Sequence, residues 1–110
     1  MSFDYPQLIG KLSDEERLRF YEILAHNLTV SVRGIWSEDN LSDAQKVECM
    51  KWLNEIMHGV VQKSAALRLG RNGFSEEDSW ETIKHWVSLN PMLDEHVGRA
   101  IKASYESCRR

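Results

Sequence analysis

The chain has 110 residues, of which 42% are hydrophobic and 28% are charged, and its formal net charge is −3. This composition is typical of one soluble globular domain, and it excludes a disordered chain and a membrane-spanning chain. The negative charge argues against a surface built to neutralise a polyanion such as DNA. Because the N-terminus lacks the basic and apolar regions of a signal peptide, we expect a cytoplasmic protein that contacts no membrane.

Residues 1–12 are predicted to form an N-terminal arm, ahead of a single helical domain at residues 13–110. Within the arm, Asp4 is a candidate cap for a short helical turn that Gly10 ends. A helix of this length is unstable alone in water, so the arm is expected to dock on the domain or on a partner.

The first long helix is predicted to begin after Ser13, because Ser13 and Glu16 have the spacing of a capping box. Residues 28–32 are rich in β-branched side chains and alternate as a strand would, but no second alternating segment exists to pair with them, so a helix is favoured. Gly34 is expected to weaken the last turn. The residues predicted to face the core are Tyr21, Leu24, Ala25, Leu28, Val32, Ile35 and Trp36.

The longest helical pattern runs from Ser42 to Gly70, and we predict that the other helices are organised around it. Ser42 and Gln45 repeat the capping-box spacing, and Gly70 is suited to the position after a helix C-terminus. The short connection before Ser42 indicates an antiparallel hairpin. Gly59 is interpreted as a site where a neighbouring helix approaches closely. The predicted core stripe is Cys49, Leu53, Ile56, Val60 and Leu67, which Met50, Met57 and Val61 widen.

Two shorter helices are predicted at residues 75–89 and from Pro91 onward, with Asn90 as the cap of the last helix. The fold is therefore expected to be all-α: a four-helix bundle made of a long antiparallel hairpin, two shorter helices and a docking arm. The apolar stripe of the last helix is predicted to contain Leu93, Val97, Ala100, Ile101, Ser104 and Cys108.

The two cysteines are far apart in the sequence, and a structural disulfide is not expected without a secretory signal. Cys49 lies on the predicted core stripe and is expected to be buried. Cys108 lies beside Arg109 near the C-terminus and is expected to be frayed and exposed.

A metal- or ligand-binding helical bundle is one alternative, because each main helix carries one histidine. Glu55 and His58 have the Glu-x-x-His spacing of a di-iron ligand pair, and His96 lies near the apolar stripe of its helix. A di-iron site needs two such pairs, and the sequence has one. His26, His58 and His85 are expected to point outward. We therefore predict no cofactor and keep Glu55, His58 and His96 as the alternative metal ligands.

The sequence has no motif for nucleophilic catalysis and no phosphate-binding glycine loop, so an enzyme is not predicted. A DNA-binding regulator is a further alternative, but the last helix would meet the phosphates with the acids Asp94 and Glu95. The basic residues available to such a regulator are Arg99, Lys102, Arg109 and Arg110.

The chain has four tryptophans, and exposed aromatic side chains concentrate the binding energy of protein interfaces. The long helices also carry apolar residues on more than one face, which a symmetric homodimer would bury. The sequence therefore favours a small interaction module of the adaptor, inhibitor, antitoxin or immunity-protein type, which binds a partner protein or a second copy. The predicted partner-binding residues are the anchors Phe20, Trp52, Trp86 and Tyr105 and the rim charges Arg68 and Arg71.

Overall fold

The computed structural model of the chain describes residues 5–70, 81, 84–85, 87–88 and 90–109. These residues form an all-α helical bundle, as predicted. None of the described helices combines the length and the apolar character needed to cross a membrane. The helices, labelled α1 to α4 in chain order, are Tyr5–Gly10, Asp14–Trp36, Asp43–Arg68 and Pro91–Cys108.

The predicted capping boxes define the starts of α2 and α3. The Glu16 amide donates to Ser13 Oγ at 3.1 Å, and the Ser13 amide donates to Glu16 Oε1 at 3.0 Å. At the start of α3, the Gln45 amide donates to Ser42 Oγ at 3.2 Å, and the Ser42 amide donates to Gln45 Oε1 at 2.8 Å. Each box satisfies two amides that have no partner within the helix. Gly70, with φ +72°, follows the end of α3 as predicted.

Helix α2 is helical through residues 28–32, so the β-branched stretch adopts the structure that the sequence favoured. The Thr29 hydroxyl donates to the Ala25 carbonyl at 3.1 Å, and Val30 projects into solvent. Both side chains therefore lie on the solvent side of α2, where the helix restricts their rotamers without a further packing constraint from the core.

Helix α3 lies antiparallel to α2, as the short connection indicated. Near the start of α2, Glu22 pairs with Arg68 at the end of α3, with 2.9 Å between carboxylate and guanidinium. At the opposite end, Lys46 Nζ donates to the Trp36 carbonyl at 3.0 Å. The two contacts show that α2 and α3 run in opposite directions side by side.

Helix α4 also lies antiparallel to α2, along another side of it. Arg19 near the start of α2 donates to the carbonyl of Cys108 at the end of α4, at 2.9 Å. Midway along, Asn27 Nδ2 donates to Ser104 Oγ at 2.9 Å. Since α2 packs extensively against both α3 and α4, the bundle is organised around α2. The prediction that α3 is the central helix is wrong, because α3 buries only a narrow stripe whereas α2 buries residues on two sides.

The core contains most of the predicted stripe residues of the three long helices, but three predictions are wrong. Trp36 was expected in the core, Cys108 was expected to be exposed, and Val61, which was expected to widen the core stripe of α3, is 54% exposed. Trp36 is 46% exposed at the end of α2, whereas Cys108 is fully buried. The arm also contributes, since Ile9 and Leu12 are buried. The other buried apolar residues are Phe20, Tyr21, Leu24, Leu28, Ile35, Cys49, Leu53, Ile56, Val60, Val87, Leu93, Val97, Ala100 and Ile101.

Gly34 has a role that the sequence did not reveal. A Cβ at this position would lie 2.8 Å from Cε1 and 2.9 Å from Nδ1 of His96. The missing side chain therefore lets the His96 ring pack directly on α2. At Gly59 the predicted close approach of a neighbouring helix is wrong, since outside its own stretch of helix no described residue has an atom within 4 Å of the corresponding Cβ position.

Candidate partner-binding surface

The outward side of α3 carries a line of uncharged side chains that the core does not cover. They recur at alternating steps of three and four residues, which places them along one side of a helix. Val47 and Val61 are 59% and 54% exposed, Asn54 is exposed, and Met50 and Met57 are half-buried against the core. We call this line the outer seam; it consists of Val47, Met50, Asn54, Met57 and Val61.

The position of the outer seam follows from helix geometry. At about 100° per residue, its centre lies roughly 110° around α3 from the centre of the buried stripe. Met50 and Met57 form the edge of the seam that is nearest the buried stripe, and part of each side chain packs against the core. The apolar surface of α3 therefore continues from the core to the solvent without a polar boundary on that side.

An open depression of about 520 Å³ adjoins the middle of the outer seam. Its apolar lining comes from Met57 and Val61, and its polar edge comes from Asn54, Glu55 and His58, among the residues that the structure describes. Methionine side chains adapt to the shape of an incoming group. Such a surface can accept an apolar side chain of a partner and hydrogen-bond to the groups around it.

The other exposed large hydrophobic residues of the described chain do not form a comparable line. Val30 and Trp36 are 56% and 46% exposed, but their spacing places them on different sides of α2. Leu69 follows the end of α3. Scattered exposed apolar residues are normal in soluble proteins, whereas aligned ones mark interaction surfaces.

Phe20, a predicted anchor, is fully buried, so that prediction is wrong. Its ring meets the Tyr21 ring edge-on, with centroids 5.1 Å apart. Phe20 lies two turns before Asn27, on the side of α2 that α4 covers. The sequence pattern identified the side of α2 that faces α3 and missed this second buried side.

Trp52 and Tyr105, the two described anchors that remain, are half-buried. Lys51 Nζ lies 5.0 Å from the centroid of the Trp52 ring, and the Arg109 guanidinium lies 5.1 Å from that of Tyr105. Each ring therefore carries a cation–π contact within its own helix region. Trp86, the fourth anchor, lies outside the described residues.

Arg68, a predicted rim charge, already pairs with Glu22 of α2 at 2.9 Å. It lies about 24 Å along α3 from Trp52, so these two predicted residues do not belong to one compact patch. Arg71, the other predicted rim charge, lies outside the described residues. The described members of the predicted set are thus spread over three helices.

The alternative metal ligands are not brought together. Glu55 and His58 are exposed on α3, and a ring nitrogen of His58 lies 3.1 Å from Gln62 Nε2. His96 is buried, and its Nε2 lies 3.0 Å from Glu38 Oε1, where the imidazole donates to the carboxylate. No group of three or more potential ligands occurs among the described residues.

The basic residues considered for DNA binding are partly engaged within the chain. Arg99 and Lys102 are exposed on α4, but Arg99 forms an ion pair with Glu95 one turn earlier. Arg109 lies against an aromatic ring at the end of α4, and Arg110 lies outside the described residues. Pairing with a carboxylate weakens the attraction of such a face for phosphate.

Both thiols are buried rather than poised for reaction. Burial raises the pKa of the Cys49 thiol, and the neighbouring Glu48 carboxylate raises it further. Burial also raises the pKa of Cys108, with Glu16 adding to the effect and Arg19 and Arg109 opposing it. A raised thiol pKa reduces the thiolate fraction and so argues against nucleophilic chemistry at either cysteine.

No protein-family model, no curated protein sequence and no solved structure matches the chain. Function must therefore be inferred from the residues themselves. Sequence reasoning placed Met50, Met57 and Val61 at the edge of the core and did not single out Val47 or Asn54. The signal that identifies all five together is their alternating three- and four-residue spacing.

Proposed function

We propose that the chain is a small protein–protein interaction module, of the adaptor, inhibitor, antitoxin or immunity-protein type, that binds its partner through the outer seam of α3. In this proposal the protein acts in the cytoplasm, where its two thiols stay reduced. The observation that carries the proposal is the alignment of exposed Val47 and Val61 with the half-buried Met50 and Met57 on one side of a helix.

The energetics favour a partner that presents apolar groups to this surface. Removing the exposed halves of Val47 and Val61 from water contributes about 1 kcal/mol each, and the two methionines add further area. Because both methionines already touch the core, they lose little additional side-chain freedom when a partner covers them. The seam itself has no formal charge to desolvate, so binding there avoids the main cost of burying a surface.

Val61 and Val30 provide a matched pair of variants for testing the proposal. Both are valines within long helices, and they are 54% and 56% exposed. Val61→Glu places a charge in the outer seam, whereas Val30→Glu places the same charge on α2, away from it. We expect Val61→Glu to reduce binding of the physiological partner by about tenfold or more, the effect of a loss of about 1.4 kcal/mol, and Val30→Glu to leave it unchanged.

The measurement is quantitative affinity capture from the source cells, with circular dichroism to show that both variants keep the helical fold. Equal capture of the same partners by wild type and both variants would contradict the proposal, because a binding surface elsewhere would be responsible.

A further inference from the structure

We infer that the partner of the outer seam is a second copy of this chain, packed antiparallel against the first with a two-fold axis passing Asn54. This inference rests on the proposed function and specifies its partner. It follows from three properties of α3: the symmetry of the seam about Asn54, the charges that flank it, and the charges that a parallel arrangement would bring together.

The ends and the centre of the seam match each other about Asn54, and the two methionines are offset by one residue. A two-fold axis at this residue places Val47 of one copy level with Val61 of the other, so the two exposed valines of the seam cover each other. Asn54 meets its own symmetry mate. An amide is both donor and acceptor, and two facing amides can hydrogen-bond to each other. In parallel coiled coils a single asparagine within an otherwise apolar seam fixes the register, and in this inference Asn54 has the same role in an antiparallel pair.

The flank of the seam is also self-complementary. Lys51 and Glu55 are both exposed, on the same side of the seam. In the antiparallel arrangement, Lys51 of one copy lies about 3 Å along the axis from Glu55 of the other. The two-fold axis repeats this pair, so the contact contains two ion pairs, each between a lysine of one copy and a glutamate of the other.

A parallel arrangement is disfavoured by the same residues. In a parallel pair of helices, the residue just before a seam residue on one helix faces the residue five positions further along on the partner. On this helix those positions are Lys46 and Lys51, so like charges would meet twice. Lys46 is also tied to the Trp36 carbonyl at 3.0 Å and is not available to move away.

The interface between the two copies is short, and its length limits the affinity of the dimer. From Val47 to Val61 the seam extends about 21 Å, which buries less than the roughly 800 Å² per partner of a standard stable interface. The dimer is therefore in exchange with the monomer and depends on concentration.

The charges provide the sharpest test. Lys51→Glu and Glu55→Lys each place like charges across the two-fold axis, and each is expected to raise the dimer dissociation constant several-fold. The double variant K51E/E55K restores opposite charges and is expected to return the dissociation constant to the wild-type value. The measurement is sedimentation velocity on the full chain over a concentration series at low salt, where exposed ion pairs are least screened.

Introduced cysteines test the orientation. With the chain carrying Asn54→Cys, oxidation is expected to give a covalent dimer. With Val47→Cys alone, the two thiols lie at opposite ends of the seam and no dimer is expected, whereas mixing Val47→Cys with Val61→Cys chains restores the cross-link. A cross-link with Val47→Cys alone would show parallel packing and overturn the inference.

A wild-type chain that stays monomeric throughout the concentration series would also overturn it, and so would a dimer that both single charge variants leave unchanged. If the chain is monomeric while Val61→Glu abolishes capture of a different protein, the self-association is refuted and the interaction function stands. If the chain is monomeric and Val61→Glu also leaves capture of every other protein unchanged, the proposed function itself is refuted.

Discussion

At the scale of single residues, the junction between α2 and α4 depends on one missing side chain. The His96 ring occupies the space that a Cβ on Gly34 would need, with its nearest atoms at 2.8 and 2.9 Å. The same ring reaches Glu38 at 3.0 Å, just beyond the end of α2. From the sequence, His96 could be placed near the apolar stripe of its helix, but its partners could not be identified, because Gly34 in α2 and Glu38 just after it lie about 60 residues away in the chain.

Gly34→Ala is expected to destabilise the protein by about 1–3 kcal/mol, the usual cost of overpacking a well-filled contact. Gly59→Ala is the matched control, since it lies within α3 with no described atom within 4 Å of the added Cβ. There the higher helix propensity of alanine is expected to add up to about 1 kcal/mol. Urea unfolding monitored by circular dichroism measures both, and stabilisation by Gly34→Ala would contradict the tight contact with His96.

The buried thiols of Cys49 and Cys108 predict both a reactivity and a pH dependence. Burial raises each pKa above the ordinary value of 9.0, so the folded protein holds these protons more tightly than the unfolded chain. The resulting contribution to stability is complete below about pH 9 and falls as pH rises through the raised pKa values.

An aromatic disulfide reagent is expected to label neither thiol quickly in the folded state and both in urea. Rapid labelling of Cys108 in the folded protein, located by peptide mapping, would show that the end of α4 is frayed, as the sequence alone indicated.

At the scale of elements, the helix boundaries were predictable because they are encoded locally. Ser13 with Glu16 and Ser42 with Gln45 form the capping boxes that their spacing indicated. The choice of central helix was not predictable in the same way. It depends on which faces meet in space, and a pattern of apolar spacing along α3 does not distinguish a side that packs on α2 from a side that faces solvent. Phe20 was misplaced for the same reason.

Removal of the caps is expected to destabilise the protein by about 1 kcal/mol for Ser13→Ala and by a similar amount for Ser42→Ala. The sites lie at the starts of different helices, so the effects are expected to add within about 0.5 kcal/mol. Ser37→Ala is the control: its hydroxyl donates to the Arg33 carbonyl at the end of α2 and satisfies no N-terminal amide. Chemical denaturation measures the three variants, and an equal effect of Ser37→Ala would contradict a specific role for the caps.

The first capping box also has a pH signature. Hydrogen bonds from the Ser13 backbone and side chain lower the pKa of Glu16. The pKa of Glu16 is lower in the folded protein than in the unfolded chain, so its ionised carboxylate stabilises the fold at any pH above the unfolded pKa. This contribution to stability is lost as pH falls through the lowered pKa. The difference in stability between wild type and Glu16→Gln is therefore expected to shrink in acid. A difference that stays constant down to strongly acidic pH would contradict the capping role of the carboxylate.

At the scale of the whole molecule, one helix holds the bundle together and another presents a surface. Helix α2 is covered by α3 and α4, while α3 contributes one stripe to the core and exposes the outer seam. An excess of apolar residues on more than one face was evident from the sequence and indicated a protein-binding function. Their assignment to a single outward line required the structure, because the half-buried Met50 and Met57 belong to the core edge and to the seam at once.

Site-specific photo-cross-linking in the source cells tests most directly whether the outer seam binds a protein. A benzophenone amino acid is placed at Val61 in the outer seam or at Val30 on α2, two positions of nearly equal exposure. A partner on the outer seam predicts protein adducts from position 61, either a dimer of this chain or a complex with another protein, and none at comparable yield from position 30. Absence of adducts from position 61, or equal yields from both positions, would show that the outer seam is not the binding surface.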